Sequence, residues 1–328
     1  MIYSIIILND RLEKRMKASS EKYITERGTR FTRKQKDLFL QEITQDMENL
    51  GYTSMRFHGK KGFVKVDNVL FGNPKHAKTV LYIPYDTPQK LLWPDPKYYP
   101  LNGNRSSMKE VFYVYGPALV VYMMLLVGTS FLPSLIEDAR LRLGMTVFMY
   151  VMIAFLIFYL SRGFMNRNNV NRNTLSIIAA LELAERFDKE TRKKVCFLFA
   201  DQNKNRYAGA ALAAEELKKQ NRTPGMICLN CIATGENIAI GYPVNSKKLA
   251  QELNRFHKVK WKQMEMDDKK RFQTMMDHFP KAVMISSGTL DEKGDLCVKH
   301  TGTSKDTVYE EENLKQVIDL LETYIKAL

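Results

Sequence analysis

Cys228 and Cys231 stand in a Cys-Leu-Asn-Cys spacing that suits a zinc-binding or redox-active thiol pair. The pair lies within Met226-Ile-Cys-Leu-Asn-Cys-Ile-Ala, an uncharged apolar run that predicts a buried strand instead. The four cysteines, Cys196, Cys228, Cys231 and Cys297, are scattered through the chain and form no dense framework, which fits reduced thiols in a cytoplasmic setting. A carboxylate of more interest is Asp86, which opens the turn Asp86-Thr87-Pro88 just after the strand pattern at 79–84. In sheets covered by helices, sites form where strands end and loops begin.

The elements that must position such residues alternate. Residues 31–50 predict a helix ending at Gly51, with Leu38, Phe39, Ile43, Met47 and Leu50 as its apolar positions. Residues 63–70 and 79–84 read as strands, 174–187 as an amphipathic helix, and 195–200 as a buried strand. An alanine-rich helix at 208–219, a strand at 226–233, a helix at 246–257, a short strand at 282–286 and a closing helix at 310–327 complete the pattern. Buried strands between helices imply an α/β fold with a mixed, mainly parallel central sheet covered on both faces. The 328 residues, 45% of them apolar, suffice for a full-sized core. No internal repeat or low-complexity tract is present.

A different pattern interrupts this alternation. The 26 residues between Glu110 and Glu137 carry no charge, and 19 further uncharged residues run from 143 to 161. A helix needs about 20 apolar residues to cross the hydrocarbon layer. We therefore expect a transmembrane hairpin inserted at 105–165, with spans at about 111–132 and 143–161. It divides the soluble part into 1–104 and 166–328. The alternative is a pair of core helices. The link holds Glu137, Asp138, Arg140 and Arg142 and is balanced, whereas Arg105 and Lys109 precede the first span and Arg162, Arg167 and Arg172 follow the second. The positive-inside rule then places both termini and the soluble part in the cytoplasm of a two-span cell-membrane protein. Trp93, Tyr98 and Tyr99 are candidates for headgroup level or for surface packing. Residues 2–8 are apolar but too short, and wrongly flanked, for a signal peptide; they predict an N-terminal strand or a shallow membrane contact. The excess of 50 Lys and Arg over 36 Asp and Glu gives +14. That charge favours membrane lipid, to which Lys60, Lys61, Lys218, Lys219, and the basic runs at 258–262 and 269–271 could contribute. Nucleic acid is not expected, because no binding motif or aromatic-basic platform accompanies the charge.

Five short segments resemble, in order, the motifs of the co-catalytic two-zinc aminopeptidases. That family also holds glutamate carboxypeptidases, glutaminyl cyclases, and silent members such as the transferrin receptor and nicastrin. Leu81-Tyr-Ile-Pro-Tyr-Asp-Thr is similar to the strand ending A-H-Y-D-S: Asp86 matches the aspartate that orients a ligand histidine, and Pro84 takes the histidine's place. Arg172-Asn-Thr-Leu-Ser-Ile-Ile-Ala-Ala-Leu-Glu-Leu-Ala is similar to D-N-A-S-G-V-A-A-L-L-E-L-A, so the metal-bridging aspartate falls on Arg172 while Asn173 is kept. Phe199-Ala-Asp-Gln-Asn-Lys-Asn-Arg-Tyr-Ala-Gly-Ala is similar to F-x-D-G-E-E-x-G-L-x-G-S. There Asp201 and Gly209 match, the general-base glutamate falls on Asn203, and a ligand glutamate on Lys204. Ile227-Cys-Leu-Asn-Cys-Ile-Ala resembles I-N-L-D-M-I-G, with Asn230 at a ligand aspartate. Thr301-Gly-Thr-Ser-Lys-Asp-Thr resembles H-T-x-x-D-T, with Asp306 and Thr307 matched, Gly302 at the ligand histidine, and His300 two residues away.

The resemblance implies a zinc-aminopeptidase-like fold without its metals. Two zinc ions about 3.5–4 Å apart need carboxylate and imidazole donors. Proline and glycine offer none, asparagine is a poor ligand, and arginine and lysine repel a dication. Asn203 has no useful basicity for activating water. No zinc and no other cofactor is expected. If Asp86 and Asp201 remain in the cleft, Arg172 and Lys204 are the cations expected to pair with them. The expected function is a catalytically inactive scaffold or subunit that holds another membrane protein or a peptide. The alternative is a membrane-bound hydrolase with a rebuilt one-metal site using His300, Asp86 or Asp201.

Overall fold

The computed structural model describes residues 21–220, 224–256, 261–279 and 281–328. The expected strand at 2–8, the end of the helix expected at 246–257 and most of the basic run at 258–262 lie outside the described residues.

Helix α1 (Arg33–Asn49) starts at a capping box: the Thr32 hydroxyl accepts the Gln35 N–H, and the Gln35 side chain accepts the Thr32 N–H at 2.9 Å. Gly51, at φ +86°, takes the left-handed turn that ends it. Strands β1 (Ser54–Lys61) and β2 (Val64–Phe71) form a hairpin, followed by β3 (Thr79–Pro84) and β4 (Lys97–Tyr98). Two long helices come next, α2 (Gly103–Phe131) and α3 (Ala139–Arg162). Then follow α4 (Leu175–Arg186), the short α5 (Lys189–Lys194), β5 (Val195–Ala200), α6 (Ala208–Lys219), β6 (Gly225–Leu229) and β7 (Asn237–Tyr242). The chain closes with α7 (Lys247–Arg255), β8 (Lys262–Glu265), the short α8 (Asp268–Arg271), β9 (Ala282–Leu290), β10 (Leu296–Lys299) and α9 (Glu311–Ala327).

The strands form one mixed sheet in the order β1-β2-β5-β3-β6-β9-β10-β4, with β7 pairing β9 and β8. Its centre, β5-β3-β6-β9, is parallel; β1-β2, β2-β5, β9-β10 and β10-β4 are antiparallel. The central strands are buried on both faces, and their residues alternate between two cores. Leu81, Ile83, Phe197, Phe199, Ile227, Leu229, Val283 and Ile285 face the core under α1, α4 and α9. Val80, Tyr82, Cys196, Leu198, Met226, Cys228, Ala282 and Met284 face the core under α6. The strand expected at 226–233 stops at Leu229: the Asn230 N–H makes a last bond to the Ile285 carbonyl of β9 at 3.2 Å, and Cys231 then takes φ +56°. That turn is what brings Asn230 to the end of the sheet.

Helices α2 and α3 are long and apolar enough to cross a membrane. Only 17% and 11% of their most apolar stretches are buried against the protein, which argues against core helices. At about 1.5 Å per residue, the 29 residues of α2 reach about 43 Å, beyond a hydrocarbon layer of about 30 Å. The polar first turns of α2 pack against the α/β part. A Cβ on Gly103 would stand 2.1 Å from the Phe272 carbonyl oxygen, so α2 starts in direct contact with the segment after α8. Arg105 pairs with Asp291 at 2.6 Å and Asp295 at 2.9 Å and stacks on Tyr99 at 3.9 Å. Tyr98 and Tyr99 are therefore buried inside the protein, while Trp93 is half-exposed and stacks on Tyr113 of α2 at 5.7 Å.

Candidate functional site

The ends of β3, β5 and β6, the turn at Val170–Thr174 before α4, and the loop before α9 meet at one edge of the sheet. Each contributes through its backbone geometry. Beyond β3, the Asp86 carboxylate accepts the Asn203 backbone N–H at 3.0 Å, the Asn203 amide at 2.8 Å and the Lys204 N–H at 3.4 Å. The Asp86 carbonyl accepts the Asn173 side-chain amide. Asn203, at the general-base position of the resemblance, thus spends its donors on holding Asp86 and on the Ala200 carbonyl at 2.8 Å, while it accepts the Tyr82 hydroxyl. Beyond β5, the Asp201 N–H donates to Asn68 at 2.8 Å, and Asn68 in turn donates to the Gly209 carbonyl at 2.8 Å. A Cβ on Gly209 would stand 2.0 Å from the Asp201 carbonyl oxygen, so this close approach of α6 to the strand end requires glycine.

The expected pairing of Asp86 and Asp201 with Arg172 and Lys204 is not what forms. Asp201 pairs with Lys36 of α1, both almost fully buried. Burial pushes the Asp201 carboxyl up to about 6, and Lys36 opposes that shift. Arg30, fully buried, donates to the Tyr85 carbonyl at 2.6 Å and to Thr174 at 2.8 Å; burial lowers it to about 10 although Asp86 acts to raise it. Arg172 instead stacks on the Tyr98 ring at 3.2 Å, and Lys204 on the Phe31 ring at 3.6 Å. Burial holds the Lys204 amine below its ordinary value, partly offset by Asp86. Lys36 and Arg30 were not anticipated: a lysine on a helix and an arginine before it carry no sequence signal of burial.

Pro84, Asp86, Arg172, Asn173, Asn203, Lys204 and Asn230 line a single cavity of about 10 Å³, room for about one water. A second cavity of about 10 Å³ shares Pro88 and Arg172 with it and reaches Gly302. Ser106, Glu110 and Tyr113 of α2 line this second cavity, so the apolar hairpin closes the mouth of the cleft. Asn230 donates to the Tyr98 hydroxyl at 2.9 Å. A Cβ on Gly302 would stand 3.0 Å from Leu91, so the chain at 89–91 crowds that position. Two residues lie apart. Asp306 accepts the Asn171 N–H at 2.9 Å and anchors the turn before α4, and burial pushes it up to about 6. His300, half-exposed, points Nδ1 toward Asp95 at 3.8 Å.

The residues present do not fit a zinc pair. The positions that the resemblance assigns to ligands hold two cations, two residues without donors and an amide whose nitrogen is already engaged. Among the described residues, no group of three or more His, Cys, Asp or Glu side chains is placed to hold a metal ion. Cys228 and Cys231 are buried free thiols. Burial pushes Cys231 up to about 12 and Cys228 well above its ordinary value, which suits neither redox nor metal chemistry.

No protein-family model and no curated protein matches the chain. Solved structures do. A glutaminyl cyclase of Porphyromonas gingivalis superposes with a TM-score of 0.57 at 9% identity, over 94% of this chain and 97% of that one. A leucine aminopeptidase precursor of Bacteroides thetaiotaomicron gives 0.56 at 11%, over 94% and 96%. LapB of Legionella pneumophila gives 0.54 at 12%, over 96% and 70%. The chain therefore has the fold shared by these glutaminyl cyclases and leucine aminopeptidases, with two apolar helices inserted between β4 and α4.

Proposed function

We propose that this chain is a membrane-anchored, catalytically silent member of that fold, a scaffold or subunit that holds a peptide or another membrane protein. The observation that carries the reading is the set of residues at the strand ends. Arg172, Lys204, Asn230, Pro84 and Gly302 stand where zinc would need carboxylates and imidazoles, and Asn203 where water would need a base. Compensation at one position is conceivable; compensation at all of them together is not. The buried pair Lys36–Asp201 and the fully buried Arg30 support it, since the cleft keeps its acidic residues by adding protein cations.

The two-span anchoring, with both termini and the α/β part cytoplasmic, rests on the exposure of α2 and α3 and on the Lys and Arg residues flanking them. Membrane lipid is the first partner, and a membrane protein or peptide the second. Turnover tests the reading. With aminopeptidase substrates and with peptides carrying N-terminal glutamine, purified protein given added zinc should show no rate above background. A zinc-stimulated rate that disappears in Asp86→Ala would sink it.

A further inference from the structure

Strands β1 and β2 pair as far as Lys61 and Val64, so the loop that joins them is only Gly62-Phe63. Gly62 stands at φ +58°, as a two-residue hairpin turn with glycine in first place requires. The turn asks nothing apolar of its second residue, yet the Phe63 side chain is fully exposed there. Among the described residues no other large apolar side chain is as exposed, those of α2 and α3 included. Single exposed apolar residues are common; the place and the neighbours of this one set it apart. β2 runs antiparallel to β5 with Val69 opposite Phe199, which puts Asn68 level with Ala200 at the end of β5. Phe63 lies five residues further on, about 17 Å at about 3.4 Å per residue. The tip therefore projects past the strand ends, on the edge that carries the cavities. Both legs of the apolar hairpin leave from that edge. Glu110 and Tyr113 of α2 line the cavity beside Arg172 and Gly302, and Met165, just after α3, pairs with Gln89 in the chain that follows β3.

We propose that the β1–β2 tip is a membrane-docking finger, in which Phe63 enters an anionic leaflet and Lys60 and Lys65 rest on its headgroups. Charge selects the partner. The two strands carry Arg56, Lys60, Lys61 and Lys65 against one carboxylate, Asp67. Lys61 is paired with Glu215 of α6, whereas Lys60 and Lys65 are exposed on either side of Phe63. An aromatic ring between two lysines matches a bilayer surface that is negative at headgroup level and apolar beneath. Lysine is depleted from protein–protein interfaces, so a protein groove fits this tip less well. β1 and β4 are the opposite ends of the sheet, and β4 leads into α2. An inserted Phe63 thus holds the α/β part to the bilayer at a second point, a sheet's width from the hairpin, and fixes the cavity edge toward the lipid. The inference deepens the proposed function and rests on its membrane anchoring.

The test uses full-length protein in nanodiscs of phosphatidylcholine, with and without phosphatidylserine. A nitroxide on Phe63→Cys reports depth through its collisions with oxygen, which enters lipid, and with a nickel chelate, which stays in water. The four native cysteines are buried, so the label is specific. The same label on Lys75→Cys, exposed before β3 at the opposite edge, is the water-side control, and on Val120→Cys of α2 the lipid-side control. In anionic nanodiscs the Phe63 label should favour oxygen as the Val120 label does, and the Lys75 label should not. Each lysine at an anionic surface is equivalent to about fivefold in the ratio of docked to free tip. Adding Lys60→Gln and Lys65→Gln, or removing the phosphatidylserine, should therefore return the Phe63 label to the chelate. Melting temperatures check that each variant folds. A Phe63 label as open to the chelate as the Lys75 label, equal readings with and without phosphatidylserine, or no change in the folded double-lysine variant would overturn the finger. A Val120 label in lipid beside a Phe63 label in water loses this inference alone; a Val120 label in water loses the membrane anchoring and the finger together.

Discussion

Lys36 lies on the buried face of α1 and directs its ammonium at Asp201, which follows β5. The folded protein raises the Asp201 carboxyl from an ordinary 3.8 to about 6 because burial outweighs the pull of Lys36. Between those values the folded state binds the proton and the unfolded state does not, so this group's contribution to stability falls as pH rises through that window. Lys36→Met would leave the carboxylate buried and unpaired. It should cost about 3 kcal/mol at pH 7 and clearly less at pH 5, where Asp201 carries a proton. Thermal melts at the two pH values check this, and an equal loss at both would contradict the pairing. At this scale Asp86 was legible from the turn that follows the strand at 79–84, and Asp201 only through the resemblance to the aminopeptidase motif. Their partners were not. Lys36 and Arg30 are ordinary residues locally, and only the packing of α1 against β3 and β5 makes them buried counter-charges. The same packing leaves Arg172 and Lys204 to aromatic rings.

The central elements follow their periodicity closely. Residues 79–84, 195–200 and 208–219 form the expected elements because their patterns agree with their burial. Strands β1, β4, β7, β8 and β10 were not anticipated. β1 carries Arg56, His58, Lys60 and Lys61 and pairs only with β2, so neighbours rather than its own apolar content define it. β4 has two residues and β8 and β10 four each, too few for a pattern. The hairpin was legible from its lack of charge, but its docking was not, since Gly103 against Phe272 and Arg105 against Asp291 are long-range contacts. The topology of α2 and α3 is testable because the four native cysteines are buried and leave a quiet background. A membrane-impermeant maleimide on intact cells should label Glu137→Cys in the link and not Lys293→Cys in the α/β part, and should label both once the cells are opened. Labelling in the reverse sense would contradict the orientation.

Across the whole molecule, β1 to β4 precede the hairpin and β5 to β10 follow it, yet the sheet order β2-β5-β3-β6 interleaves the two sets. The hairpin is therefore an insertion into one α/β unit and not a linker between two. It enters beside the cleft and supplies Ser106, Glu110 and Tyr113 to its mouth. A fold shared with glutaminyl cyclases and aminopeptidases is thereby joined to two apolar helices beside the strand-end cavities. The strand-end residues and their inability to hold zinc separate this chain from a hydrolase. Elemental mass spectrometry of detergent-purified protein, dialysed with and without added zinc, measures this directly. Both samples should hold less than about a tenth of an equivalent per chain; about one or two equivalents that survive dialysis would show that the strand ends still bind zinc.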